Sequence, residues 1–168
     1  MTLARPTGQT WLQLVFLGSC AALPSAAVEA ASGAHCTLSS TALAFGQYVP
    51  SRGAPSDFTA TINVTCAASG IAPVAILGTV TLLASGGASD RELTDGLHRM
   101  RYQLFLDPAR TVVWGDGNGN GGTQSIAGVV GPTMPFRATF TVYGRILARQ
   151  FDVVVGNYTA HIAALLNY

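Results

Sequence analysis

The sequence predicts an all-β protein built as a two-sheet sandwich, and three observations carry that prediction. Hydrophobic residues make up 49% of the chain and charged residues only 10%, with Gly, Ala, Thr and Val abundant, a mixture that favours short strands and tight turns over amphipathic helices. Several stretches alternate apolar and polar residues with period two, the signature of a half-buried strand. Glycine and proline interrupt the apolar runs throughout and leave no long helical segment for an α/β architecture. The candidates come to about seven or eight strands in roughly 135 residues, which suits a two-sheet sandwich.

The chain has 168 residues, enough for one domain. All nine basic residues are Arg, Lys is absent, and eight acids leave a formal net charge of +1. Nothing in that balance looks like a phosphate-binding surface, so no nucleic-acid partner is expected. Residues 1–27 read as a secretory signal peptide: Arg5 supplies the positive end, residues 11–23 the apolar core, Pro24 the break and Ser25-Ala26-Ala27 a small-residue cleavage site. Ala30 and Ala34 are alternative cleavage points. The apolar run is about a dozen residues, too short to span a bilayer as a helix, so no membrane insertion of the mature chain is expected. Cys20 follows Leu17-Gly18-Ser19, a partial match to a lipoprotein processing site in which Gly18 fits poorly. Residues 28–35 then form a short stub and residues 36–168 the folded domain.

If Cys20 leaves with the leader, Cys36 and Cys66 remain, and export with an even cysteine count argues for a disulfide between them. Cys66 ends a clean alternation in which Phe58, Ala60, Ile62 and Val64 share its face, so its sulfur points into the core. Residues 74–84 are a long β-rich run. Residues 90–100 crowd Arg91, Glu92, Asp95, His98 and Arg99 together and read as an exposed loop or a single helical turn. Tyr102, Leu104 and Leu106 alternate with Arg101, Gln103 and Phe105 up to an Asp107-Pro108 turn, and residues 111–114 read as a short strand. Residues 115–122, rich in Gly, Asn and Asp, read as a flexible loop. Asp116, Asn118 and Asn120 match the first half of a calcium loop, but Ala127 stands where the bidentate Glu is needed. Residues 128–135 read as a loop, and Ala138, Phe140 and Val142 alternate with Thr139, Thr141 and Tyr143 as another strand.

The chain closes on residues 156–168, read as one strand running to the C-terminus. Tyr158, Ala160, Ile162, Ala164, Leu166 and Tyr168 fall on one face and Thr159, His161, Ala163, Leu165 and Asn167 on the other. An apolar terminal strand has to pair with something, because an uncovered edge invites association.

No catalytic constellation emerges. His35, His98 and His161 are far apart in sequence, no Ser lies in a nucleophile-elbow pattern, and no Cys or His pair has metal-ligand spacing. His161 reads as an ordinary strand histidine, and the sequons at Asn63 and Asn157 as strand and turn residues. The expectation is a non-enzyme without metal or cofactor.

Several blocks, in order and spacing, resemble the spore coat protein U domain over residues 36–168: Cys36-Thr37-Leu38-Ser39, Leu43-Ala44-Phe45-Gly46-Gln47-Tyr48, the run from Tyr102 through Asp107-Pro108 to Trp114-Gly115-Asp116-Gly117, Thr141-Val142-Tyr143-Gly144-Arg145-Ile146, Gly156-Asn157-Tyr158-Thr159 and the terminal Tyr168. The match is weak over residues 67–100. The resemblance implies an incomplete immunoglobulin-like sandwich, the subunit of archaic chaperone-usher pili, completed by a donor strand from a periplasmic chaperone and then from a neighbouring subunit. It also implies an outer-membrane usher and other pilus subunits as partners, with passage through the periplasm to the cell surface and a part in attachment and biofilm formation. Tyr158, Ile162, Ala164, Leu166 and Tyr168 would then border the groove that receives the donor. The stub departs from the family pattern, since residues 28–35 are mostly Ala, Ser and Gly with Val28 the one large aliphatic. Such a subunit would accept a strand but donate poorly, as at a fibre end. A freestanding secreted or envelope protein, a coat layer or a ligand-binding sandwich, is the alternative.

Overall fold

The computed structural model describes residues 33–83, 87–119 and 121–168. The expected leader, its cleavage points at Ala27 and Ala30, and Cys20 lie outside the described residues, whereas the third cleavage point, Ala34, is the first residue of β1. Among the described residues eight strands are present, β1 (Ala34–Ser40), β2 (Ser56–Ala68), β3 (Val74–Leu83), β4 (Glu92–Thr94), β5 (Arg99–Phe105), β6 (Gln124–Val130), β7 (Phe136–Ile146) and β8 (Ala163–Asn167), with a single 3₁₀ turn at Pro50–Arg52. They form two antiparallel sheets in a sandwich, one ordered β1-β2-β7-β5-β4 and the other β6-β3-β8.

The alternation read from the sequence sets which face each strand buries. Ala60, Ile62, Val64 and Cys66 of β2, Tyr102 and Leu104 of β5, and Val142 and Ile146 of β7 point inward and meet Ile76, Val80 and Leu82 of β3 and Ile126 and Val130 of β6. Cys36 lies directly opposite Cys66 in the β1–β2 register, and the two form a disulfide. β1 starts at Ala34, so the last two residues of the expected stub, Ala34 and His35, already pair with Ala68 and Ala67.

Four stretches differ from the sequence reading. The charged stretch at 90–100 is neither an exposed loop nor a helical turn, because it contains β4 and the buried Leu93, and Arg91 is only 2% exposed. Residues 111–114 make isolated bridges, Val113 to Phe105 and Trp114 to Gly122, in place of a strand. The expected loop at 128–135 loses its first three residues to β6; Gly128 is a strand residue there because the Phe136 ring occupies the space a side chain would need. The terminal strand is shorter than its alternation, since Thr159 exchanges two backbone hydrogen bonds of 2.9 Å with Thr94 and draws residues 156–162 towards β4.

Arg91 and Trp114 tie one side of the sandwich together. The Trp114 N–H donates to the Leu104 carbonyl of the larger sheet, while its indole Nε1–H donates to the Val80 carbonyl of the smaller one at 3.1 Å. The Arg91 guanidinium donates to the carbonyls of Ala88, Leu82 and Trp114, the last at 2.6 Å, and to Gln103 Oε1 at 3.0 Å. A buried cation is tolerable only with such a set of acceptors, and its removal takes a donor from each of them, although Gln103 Oε1 keeps the Leu104 N–H. Arg91→Met should therefore cost at least about 2–3 kcal/mol of stability, since each buried group left unpaired costs about 1–3 kcal/mol. Arg91→Lys should lose nearly as much, because a single ammonium cannot span the same acceptors. Chemical denaturation measures both, and a loss below about 1 kcal/mol for either would contradict this role.

The disulfide is tested separately. The intact protein should be two hydrogens lighter than its reduced form by mass spectrometry, and Cys36→Ala with Cys66→Ala should lose roughly 3 to 4 kcal/mol. Free alkylation of both thiols without reductant would contradict the bond.

Candidate functional site: an open apolar groove

Between the sheets lies a groove of about 1020 Å³. Its floor is the inner face of the larger sheet, Ala60, Ile62, Tyr102, Leu104 and Val142, with Leu82 of β3 opposite. Two irregular segments wall it, residues 41–48 that follow β1 and residues 153–162 that precede β8.

Each wall is anchored by specific contacts. Leu43 and Phe45 sit where a side chain at position 144 would be, so only Gly144 lets them reach the inner face of β7. The Phe45 ring then meets Phe58 and Tyr102 edge to face at 5.6 and 5.5 Å between centroids. Further along, the Tyr48 hydroxyl donates to the Leu147 carbonyl at 2.9 Å and accepts the Gln150 N–H at 3.0 Å. Gln150 holds the start of the second wall: its Oε1 accepts the Arg101 N–H at 2.6 Å, and its Nε2 donates to the carbonyls of Arg101 and Leu147. The end of that wall is held by the Thr94–Thr159 bridge.

The Asp95 turn beneath this bridge has its own electrostatics. Its carboxylate accepts the backbone N–H groups of His98 and Leu97 and contacts His98 Nδ1 at 3.1 Å. The two backbone bonds, His98 first, lower its pKa to about 2.

Two strands that touch the groove, β1 at Ser40 and β8 at Ala164, have an edge without a strand partner. Among the described residues β8 pairs only with β3 and β1 only with β2. They approach each other at one end, where the Cys36 N–H donates to the Tyr168 hydroxyl at 3.1 Å. The five residues expected to border the groove divide accordingly. Tyr158, Ile162 and Ala164 line it, half-buried, whereas Leu166 packs on the core and Tyr168 lies at the end where β1 and β8 meet. Leu43, Phe45 and Tyr48 were singled out in the sequence only through the family resemblance; the alternation of Leu43 and Phe45 is the signal that marks them as inward-facing. His161 is exposed at the rim and His98 is engaged with Asp95. In the glycine-rich loop, Asp116 Oδ1 accepts the Asn118 N–H at 2.9 Å, and Asn120 lies outside the described residues. No helix among the described residues is long and apolar enough to cross a membrane.

An all-β sandwich with an unfilled apolar groove flanked by free strand edges defines a class of domain whose core is left open on one side. The family model of the Spore Coat Protein U domain matches residues 22–164, and the chain belongs to that family. No curated protein matches it.

The depressed pKa of Asp95 predicts a pH response. A carboxylate whose pKa falls on folding contributes stability in full above its ordinary value of 3.8, and that contribution is lost as the pH falls towards about 2. The amide shifts of Leu97 and His98 should accordingly titrate with a midpoint near 2. A midpoint near the ordinary value would contradict the turn.

Proposed function

We propose that this protein is a non-enzymatic structural or adhesive subunit of a surface fibre of the chaperone-usher type, whose sandwich is completed by a strand donated by another chain. The observation that carries the reading is the open apolar groove, touched at Ser40 by β1 and at Ala164 by β8, two strands whose outer edges have no strand partner among the described residues. A strand laid there can hydrogen-bond to exposed backbone while its alternate side chains enter the apolar space, the mode of recognition by strand addition. Each large aliphatic it buries contributes about 1.5 to 3 kcal/mol, offset by about 1–2 kcal/mol per ordered residue. Membership of the Spore Coat Protein U family supports the same reading.

In this reading a periplasmic chaperone fills the groove during export, an outer-membrane usher passes the subunit on, and a neighbouring subunit's extension replaces the chaperone strand at the cell surface, where the fibre serves attachment and biofilm formation. With Ala34 and His35 already paired in β1 and the Gly33 carbonyl accepting the Ser69 N–H, cleavage after Ala27 would leave residues 28–32 as the free donor, with Val28 its one large aliphatic. Such a subunit receives a strand better than it gives one and belongs at a fibre end.

The test uses the mature chain and a synthetic peptide of about twelve residues with Val, Ile and Leu alternating with Ser and Thr, long enough for a full strand. At about a hundred times its Kd the peptide should raise the melting temperature by about 5–10 °C. Ile162→Arg should abolish the shift, and a peptide of the same composition with the alternation destroyed should not bind. Equal binding of the two peptides would reduce the groove to a generic apolar pocket, and binding of neither would overturn the proposal.

A further inference from the structure

The groove touches β1 only at Ser40 and β8 only at Ala164, although both strands have further residues. The phase of the ladder bonds shows what those residues offer. At the two ends of the β1–β2 register the Thr41 N–H donates to the Thr61 carbonyl and the Ser69 N–H to the Gly33 carbonyl, so the odd-numbered residues of β1 bond to β2. Cys36, Leu38 and Ser40 therefore turn their backbone N–H and C=O groups to the free edge, and the 4.0 Å between the Cα atoms of Cys36 and Cys66 fits the closer, non-hydrogen-bonded kind of pair. On β3 the Leu82 N–H donates to the Gly115 carbonyl, and the carbonyls of Val80 and Leu82 accept from Trp114 and Arg91, so the odd-numbered Thr79, Thr81 and Leu83 are the ones that bond to β8. Ala164 and Leu166 then form the free edge of β8. Tyr168 joins the two edges. It shares the inward phase of Ala164 and Leu166 and lies against Gly78, where a Cβ would come within 3.0 Å of the Tyr168 Cβ. Its hydroxyl accepts the edge N–H of Cys36 at 3.1 Å. Cys36 is four residues from Ser40, about 13 Å along β1.

We propose that Tyr168 is a clasp that divides the cleft between β1 and β8 into an open and a closed part, and so discriminates among donated strands by length. The clasp stands on the geometry alone; its use in selecting a strand rests on the donor-strand reading. The open part runs along the floor from Ile62 to the level of Ile146, which pairs with Ser56, a stretch of six residues or about 20 Å. A strand of about that length is seated with the clasp shut. A strand some four residues longer meets Tyr168, and to go further it has to break the bond to Cys36, which uncovers the edge groups of Cys36, Leu38 and Leu166. Tyr168 is 56% exposed, and one hydrogen bond open to water contributes little, so the clasp yields to a long donor and does not lock the cleft. Once it has opened, the Cys36 N–H is available to the donor's own backbone.

The test compares the mature wild-type chain with Tyr168→Phe, which removes only the hydroxyl, against two alternating peptides, the one of about twelve residues and a shorter one of about eight. In the free protein the Cys36 amide should exchange with solvent several-fold more slowly in wild type than in Tyr168→Phe, while the Leu38 amide on the same edge should exchange alike in both. Tyr168→Phe should bind the longer peptide roughly two- to tenfold more tightly than wild type does, the worth of one hydrogen bond, and should bind the shorter one equally well. The Tyr168 ring resonances of the wild-type chain should move when the longer peptide binds and stay in place with the shorter. Tyr143→Phe, on the outer face of β7, should change neither affinity. Circular dichroism confirms that each variant is folded. Equal exchange of the Cys36 amide in wild type and Tyr168→Phe would overturn the clasp. Equal affinity of the two chains for the longer peptide, or the same gain for both peptides, would overturn the selection by length while leaving the donor-strand reading in place. Binding of neither peptide to either chain would remove that reading and the selection by length together, and the Cys36 exchange would still decide whether the clasp exists.

Discussion

A three-stranded sheet cannot cover a five-stranded one. At about 4.8 Å per strand the larger sheet is about 24 Å wide and the smaller about 14 Å, so a strip of apolar surface roughly two strands wide has no sheet above it. The groove of about 1020 Å³ opens over the inner face of the larger sheet, across Ile62, Val142, Tyr102 and Leu93. Residues 40–48 and 153–162 line its sides without filling it, and protein interiors do not ordinarily keep spaces of that size. Each sheet ends in edge strands, and two of them, β1 at Ser40 and β8 at Ala164, reach this apolar space.

An open sandwich needs rigidity elsewhere, and the side away from the β1 and β8 edges supplies it. Trp114 bonds to β5 through its backbone and to β3 through its indole, and Arg91 gathers four acceptors, from β3, β5, Ala88 between them and Trp114 beyond β5. These bonds fix the spacing of the sheets where they converge. The cross-strand disulfide fixes β1 against β2. What remains free to respond is the pair of walls, one seated by Phe45 and Tyr48 and the other held at Gln150 and Thr159.

Much of this was legible in the sequence because burial on a strand repeats every second residue. The alternations around Ile62, Leu104 and Val142 identified β2, β5 and β7 and their inward faces, and the phase of Cys66 pointed to its pairing. The failures share a cause, which is that tertiary partners are invisible to a local pattern. Arg91 looked solvated because its acceptors come from Leu82, Ala88, Gln103 and Trp114. Gly128 looked like a turn because the ring that fills its place belongs to Phe136. The period-two pattern from Tyr158 to Tyr168 is real, but only Ala163–Asn167 finds a partner strand in β3, and Thr94 captures the stretch upstream. The shared face of Tyr158, Ile162 and Ala164 could be read from that pattern, and their place at a groove only from the family resemblance, whereas the roles of Leu43, Phe45 and Tyr48 depend on where β7 and the chain after it lie.

The uncaptured alternation suggests how a donated strand would be received, with β8 gaining a second neighbour along its free edge. Backbone hydrogen exchange across residues 158–168, compared with and without the alternating peptide, addresses the central claim most directly. The account predicts that amides on the free edge of β8, fast in the unfilled domain, become strongly protected when the peptide is bound, while those already bonded to β3 change little. Peptide binding with unaltered exchange along β8 would contradict it.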